Sequence, residues 1–452
     1  MEAENYLASG FGIRVALESK SAGWVPFREM AQVRQPGRLK GIVVSPKCGT
    51  PYLGATQVFD NRPVPRRWLA LERTDLATDL FVRRGMFVVT RSGAVGRTLV
   101  VNSPLEGMII SDDLLRVEPK QSMWWGWIYA FLRAPQARQM MTGARYGHMI
   151  KHLESSHLNE LPTPVVNDRW RKRFNTAVAR IVELRDRAHK LAVEAETLFE
   201  QAVGQLEVQD LGEEGFFIGS AEISRGRRRF DAWPNNPQIR TIDAHLAKGD
   251  RRTMRLEDAG FDIWLPTRFK RIAATEGVDL IGSSDLFEIN PDITKRIADG
   301  DFGDRHRGRV HTGWILLSRS GQIYGLNGSA VLATEAHENK IISDHIIRIA
   351  PNGKLNARIG YVYVAISHPT LGRPRVKGLA YGSSIPEIEV ADVKDLVLIR
   401  LGESIEDSIA NAAEDSSRIQ AEAELLERNL ASEADTIITR FLTGDFEDFE
   451  MN

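Results

Sequence analysis

Apolar and polar positions follow two different rhythms along this chain. In residues 38–119 the runs RLKGIVVSP, GMFVVTRSG, RTLVVNS and MIISDDLLRVEP are rich in β-branched residues. Gly, Pro, Asn and Ser bound them, which is the chemistry of short strands joined by turns. A second series, GWILLSRSG, SAVLATE and KIISDHIIRIAP, repeats the pattern further on. A short apolar helix is predicted after each series, from Trp124 to Leu132 and from Gly360 to Ile366. Each is followed by a glycine-flanked loop carrying a tyrosine, Tyr146 (ARYGHM) or Tyr381 (LAYGSS).

The second rhythm is helical. In 168–204 one heptad seam is Phe174, Ile181, Ala188, Ala195 and Ala202, and the other is Ala177, Leu184, Leu191 and Leu198. In 403–441 the seams are Ile405, Ala412, Ile419, Leu426 and Ile409, Ser416, Ala423, Leu430, Ile437. A seven-residue repeat held over this length predicts coiled-coil pairing, with Ser416 a minor flaw. The first helix opens with Arg169, Arg171, Lys172 and Arg173, and the second is acidic throughout. An intramolecular antiparallel pair is the simplest arrangement; packing of each helix on its own domain is the competing one.

The two series are copies. Leu53–Phe59 (LGATQVF) matches Ile281–Phe287 (IGSSDLF), and Gly85–Gly93 matches Gly313–Gly321, both at an offset of 228. Ile109-Ile110-Ser111-Asp112 returns as Ile341-Ile342-Ser343-Asp344 at 232. Tyr146-Gly147 returns as Tyr381-Gly382 at 235, and Leu153-Glu154 and Leu161 then fall on Ile388-Glu389 and Leu396. Matches in order with a slowly growing offset are what loop insertions in two copies of one fold produce.

Charge changes the picture. The chain of 452 residues has a formal net charge of −1, which argues against a nucleic-acid partner. That balance conceals +9 in residues 20–165 and +5 in 221–402, set against −11 in 403–452. Two basic blocks at equivalent places are the footprint of a phosphate-backbone partner. No apolar window reaches the ~18 residues of a membrane helix, and the acidic opening MEAENYLASGFG lacks the basic and apolar regions of a secretory signal. One cysteine, Cys48, excludes an internal disulfide and a cysteine-clustered zinc site and fits a reducing cytoplasm.

Enzymatic signatures are missing from the sequence. There is no HExxH, no GxxxxGK[ST] phosphate loop and no [DN]PP[YFW] amino-methyltransferase motif. Gly10-Phe11-Gly12 has no strand before it and reads as a loop, and Gly93-Ala94-Val95-Gly96 is not a dinucleotide fingerprint. We expect neither a metal nor a cofactor in this chain. The Trp124-Trp125-Gly126-Trp127 cluster reads as core or interface packing.

A β-rich domain, a long helix, a second such domain and a second long helix resemble the plan of type I restriction–modification specificity subunits. The resemblance extends to the specificity-like subunits of related methylation-linked phage-defence systems. It covers nearly the whole chain. Its local marks are the Gly-x-x-x-x-[ST]-Arg-Ser-Gly strand-turns at 85–93 and 313–321, the IISD strands, and the apolar strand LNELPTPVV (158–166) that ends the domain and exits into the helix. The second copy departs at that exit, where DVKDLVLIRL (392–401) lacks the prolines. The resemblance implies an α+β chain with target recognition domains at 1–166 and 225–402, spacer helices at 167–204 and 403–443, a linker at 205–224 and an acidic tail at 444–452. It implies a non-catalytic subunit in which each domain reads half of a bipartite double-stranded DNA target. The helices would set the spacing and dock adenine methyltransferase subunits, which would carry S-adenosylmethionine, and a motor nuclease would join in the restriction form. A 37-residue helix, about 55 Å at ~1.5 Å per residue, can hold two readers over successive turns of one duplex. A structural adaptor with a coiled-coil arm and no base readout is the alternative.

Candidate DNA contacts follow from the paired basic positions. Arg91-Ser92 and Arg319-Ser320 sit in equivalent strand-end turns, where an arginine can fork onto guanine or bind phosphate; a plain hairpin turn is the competing reading. Arg62, Arg66 and Arg67 flank prolines in one copy, and Arg305, Arg307 and Arg309 form the matching run in the other. Arg97, Arg145, Tyr146, Tyr381, Lys40 and Lys270 complete the set.

Overall fold

A computed structural model describes residues 9–451 except 39–40, 72–77, 145–151, 207–214, 226–228, 250, 269, 294, 300–307, 323–324, 355 and 383. The chain divides into two compact units, residues 1–186 with 422–452, and residues 187–421. No helix among the described residues is long and apolar enough to cross a membrane.

The first unit opens with helix α1 (Ser9–Glu18), then β1 (Trp24–Pro26) and β2 (Ala31–Arg34). Next come β3 (Ile42–Val44), β4 (Thr50–Leu53), β5 (Arg67–Ala70), β6 (Phe87–Thr90), β7 (Thr98–Val100), β8 (Ile109–Ile110) and β9 (Leu114–Pro119). Helices α2 (Trp125–Arg133) and α3 (Pro135–Ala144) lead to β10 (Pro162–Pro164) and the long α4 (Asp168–Val203). The strands form sheets of order β2-β9-β6-β7 and β3-β5-β4-β8, with β10 antiparallel to β1. In the second sheet β4 and β8 run parallel, Tyr52 opposite Ile109.

The second unit builds the same sheets from its own strands. Helix α5 (Pro237–Leu246) is followed by β11 (Thr253–Arg255), β12 (Phe261–Trp264), β13 (Ala273–Ile281), β14 (Arg296–Ile297), β15 (Ile315–Ser318), β16 (Ala330–Leu332), β17 (Ile341–Ile342) and β18 (Ile346–Pro351). Then come α6 (Ile359–Ser367), α7 (Arg373–Lys377), β19 (Val397–Ile399) and the long α8 (Glu403–Thr443). The order β12-β18-β15-β16 reproduces β2-β9-β6-β7, and β13 runs parallel to β17 as β4 does to β8. Strand β13 joins the equivalents of β3 and β4: both Ala273 and Val278 face Ile297. The proline-free exit ends in β19, antiparallel to β11, so the copy without prolines has the same pairing as β10 with β1.

Two expectations change. Gly10-Phe11-Gly12 is not a loop but the first turn of α1. Gly10 allows this helix to lie on α3, since a Cβ there would stand 2.1 Å from the Gln139 carbonyl oxygen. The exit LNELPTPVV holds only three strand residues, because residues Ser155–Asn159 already turn as a short helix.

The cores explain the long helices. Phe174, Ile181, Leu430, Ile437 and Phe441 pack with Phe87, Trp127 and Phe131 in the first unit. Ala195, Phe199, Ile409 and Ala413 pack with Ile315, Ile347 and Tyr361 in the second. Trp127 is fully buried and its indole donates to the Pro164 carbonyl at 2.8 Å, so the tryptophan cluster is core, as read. Glycine permits the closest approach of α2 to α4: a Cβ on Gly126 would stand 2.2 Å from the Asn175 nitrogen. Gly360, 234 residues on, meets α8 in the same way, 2.7 Å from the Ala410 oxygen.

Within the first unit α4 and α8 pack together, and their contacts run in opposite order along the two helices. Arg173 pairs with Glu433 and Arg180 with Glu422 (3.2 Å). Beside them is a buried site in which Arg185 Nη2 meets Glu427 Oε2 at 2.7 Å, with side chains 1% and 0% exposed. The Tyr129 hydroxyl donates to the other carboxylate oxygen, and burial, then Glu427, holds its pKa well above the usual phenol value. In the second unit Ser416 donates to the Ala188 carbonyl at 2.7 Å.

These contacts correct the predicted seams. One seam of each helix is buried as expected: Phe174, Ile181, Ala188 and Ala195 on α4, and Ile409, Ala423, Leu430 and Ile437 on α8. In the other seam of α4 Leu184 is buried as expected, but Ala177, Leu191 and Leu198 are half-buried, and Val178, Arg185 and Phe199 one position on are buried. On α8 Ala412 and Ile419 of the second seam are buried as expected, but Ile405 is 44% exposed and Leu426 half-buried, and Ala413, Glu427, Ala434 and Phe441 one position on are buried too. Charged residues occupy seam positions, and an apolar heptad count steps over them.

Three expectations for mutants follow from the packing. Gly126→Ala and Gly360→Ala should each cost about 1–3 kcal/mol through overpacking, read as a lower unfolding midpoint. Gly12→Ala, at an open helical position, should gain about 0.5–1 kcal/mol. Arg185→Leu alone should cost about 3–5 kcal/mol by stranding Glu427, and joint replacement of Arg185 and Glu427 by leucine should recover most of it; a double-mutant cycle in urea measures both.

Candidate nucleic-acid interface

The Arg-Ser-Gly turns end β6 and β15, and backbone bonds hold them alike. Arg91 N donates to the Asp113 oxygen at 2.9 Å, and Arg319 N to the His345 oxygen at 3.0 Å. Leu153 N and Ile388 N close on the carbonyls of Arg91 and Arg319 at 2.8 and 3.0 Å. Ser92 and Ser320 bridge to His152 and Glu387, again equivalent positions.

Neither arginine stands free in solvent. Arg91 Nη2 donates to Glu154 at 2.6 Å, and Arg319 Nη2 lies 2.8 Å from Glu387 and 3.5 Å from Glu389; each guanidinium side chain is only 18% exposed. The turn is therefore not a hairpin with a loose cation. Its arginine clamps the loop that returns from the following helices, and any reach toward a ligand must compete with a carboxylate. Ser320 Oγ lies 3.2 Å from both His345 Nδ1 and Glu387 Oε1. The serine, not the histidine, is central, so no acid–histidine–serine relay exists there.

The remaining candidates divide by environment. Arg97 is 7% exposed and stacks on the Phe59 ring, 4.3 Å from its centroid; it is a core residue and is withdrawn from the contact set. Arg309 is tied to Asp299 at 2.8 Å and to the Asn339 carbonyl at 2.7 Å. Tyr381 is 40% exposed and donates its hydroxyl to Glu389, which holds its pKa up. Arg62 is half-buried, whereas Arg66, Arg67 and Lys270 are exposed. Lys40, Arg145, Tyr146, Arg305 and Arg307 lie outside the described residues.

A cleft of about 930 Å³ brings part of the first set together. Arg38, Tyr52, Arg67, Arg91, Asp112 and His152 are among its lining residues. At the equivalent place in the second unit, Arg271 bonds to Asp344 and Arg268 approaches it at 3.9 Å. No group of three or more metal-ligating side chains occurs among the described residues.

Sequence reasoning missed two arginines that build both sites. Arg116 and Arg348, 232 residues apart, are 2% and 0% exposed. Arg116 donates to the carbonyls of Ser111 (2.8 Å), Ile110 (2.7 Å) and Leu80 (3.0 Å). Arg348 donates to those of Ser343 (2.9 Å), Ile342 (2.6 Å) and Gly308 (3.3 Å). Burial pushes their pKa values down, to about 10 for Arg116 and about 9 for Arg348. The signal was in the sequence: an arginine recurs inside two otherwise apolar strands, LLRVEP and IIRIAP. Arg116→Met and Arg348→Met should each cost about 2–4 kcal/mol, because several buried carbonyls lose their donors; denaturant unfolding reads the loss.

No protein-family model matches the chain, and no curated protein sequence does. Solved structures are similar along almost its whole length. The type I restriction–modification S subunit of M. genitalium aligns over 96% of this chain and 98% of its own, at 13% identity and a TM-score of 0.34. The HsdS subunit of Thermoanaerobacter tengcongensis aligns over 93% and 96%, at 14% identity and a TM-score of 0.26. A chain of a type I restriction–modification assembly aligns over 93% and 97%, at 14% and 0.27.

Proposed function

We propose that this chain is the DNA sequence-specificity subunit of a restriction–modification complex or a related defence complex, with no catalytic centre of its own. The observation that carries the reading is the duplicated unit. The same sheet orders, the same Arg-Ser-Gly clamp and the same buried arginine occur twice, in units through which the chain passes by way of two long helices. Two copies of one reader on a fixed connection suit a target made of two short half-sites with a gap of set length. Base-edge contacts supply the specificity of each half, and phosphate contacts supply register and affinity. The two long helices act as an antiparallel coiled-coil ruler. Together with the adjoining domain faces they offer the docking surface for adenine methyltransferase subunits, which bring S-adenosylmethionine, and for a motor nuclease where the complex restricts.

Long-read methylome sequencing of the host with and without the gene tests this reading. Deletion should erase one bipartite adenine-methylation motif. An unchanged methylome, together with purified complex that binds DNA without sequence preference, would favour the adaptor reading instead.

A further inference from the structure

Isoleucine stands exposed at one equivalent place in both units, and cations surround it. Strand β3 pairs Ile42 with Ala70 and Val43 with Leu69 on β5. In the second unit Ala273 faces Ile297, and the Ala298 nitrogen donates to the Ile272 carbonyl at 2.9 Å. Register therefore makes Ile272 the counterpart of Ile42, 230 residues earlier. Ile42 is 63% exposed, Val43 61% and Ile272 43%. Exposed aliphatic side chains on a short outer strand cost solubility and invite strand pairing, yet the duplicated fold carries one in each copy.

The neighbouring charges say what kind of surface these isoleucines meet. Arg38, Lys47, Arg66 and Arg67 are exposed around β3, and Arg268, Lys270 and Arg271 precede Ile272. Among the described residues the side chains of Arg38, Lys47, Arg66 and Arg67 have no ion-pair or hydrogen-bond partner. An apolar protein partner would leave these cations desolvated and unpaired. A DNA duplex satisfies both features, with phosphates for the cations and, in the major groove, the 5-methyl group of thymine for the aliphatic side chain. Strand β3 is the outer strand of its sheet, so its exposed residues lie at a sheet edge.

We propose that Ile42 and Ile272 are specificity-determining residues, each packing against a thymine methyl group in the half-site that its unit reads. This rests on the DNA-reading function proposed above and goes beyond it in naming the contact. Each A·T pair of a half-site offers such a methyl group.

The test uses the full chain, with its methyltransferase partner bound where it copurifies, and target duplexes in which deoxyuridine replaces thymidine in one half-site at a time. The wild-type protein should lose about three- to fivefold in affinity, the worth of one buried methyl group. Ile42→Ala should lose as much on thymine DNA and become indifferent to deoxyuridine in one half-site only; Ile272→Ala should do so in the other. Their unfolding midpoints should match wild type, since both side chains are exposed. Target-specific binding that is blind to deoxyuridine in both half-sites would overturn the methyl contact and leave the DNA-reading function standing. Variants that weaken equally on thymine and uracil DNA, with the wild-type preference retained, would also overturn it. Absence of any target-specific binding by the wild type would overturn the function itself.

Discussion

The contact of Arg185 with Glu427 sets the register in which the two long helices meet inside the first unit. The seams on either side are built from alanine, leucine and isoleucine, which slide past one another at little cost. A slide by one heptad would put Glu427 opposite Val178 or Ala192 and leave a buried carboxylate without its cation, a penalty of about 3–5 kcal/mol. Tyr129 adds a third member from α2, so the same site ties the helix pair to the β-rich body. Ordinary packing supplies the stability here, and the ionic site selects which packing is adopted.

The duplication keeps its framework and varies its surface. Beside the buried Arg116, Arg34 and Arg83 share Glu118 at 2.6 Å each. At the corresponding strand of the other unit, Trp264 stands beside Arg348 and packs edge-on against Trp314, which in turn meets His311, both with ring centroids 5.1 Å apart. One unit presents an ionic cluster where its copy presents an aromatic stack. The buried arginine and the turn geometry, which set backbone shape, are the same in both. The two copies thus share a scaffold and differ in surface chemistry.

Much of the architecture is legible in the sequence because it rests on periodicity and repetition. β-Branched runs mark β6, β9, β15 and β18, and the heptads mark α4 and α8 to within a few residues. Sequence signals are weaker wherever a charge is buried. Arg185 and Glu427 displace a seam, Arg116 and Arg348 look like surface residues, and Arg97 looks like a DNA contact although it stacks on Phe59. In each case charge dominates the reading of an arginine, while the fold uses its planar donors to satisfy carbonyls, a carboxylate or an aromatic face. The repeat places Arg91 and Arg319 in equivalent turns, but nothing in the local sequence reveals that carboxylates some 60–70 residues later in the chain engage them.

The first unit is discontinuous in the chain, and the second is not. Residues 187–421 form one uninterrupted stretch, whereas the first core depends on Leu430, Ile437 and Phe441. Near that core, the Glu450 nitrogen closes on the Val165 carbonyl at 2.8 Å. On the ribosome, then, the order of maturation inverts the order of synthesis. The unit that begins first must wait as an incomplete body until the final helix is translated, while the later unit can already close around its own contiguous chain.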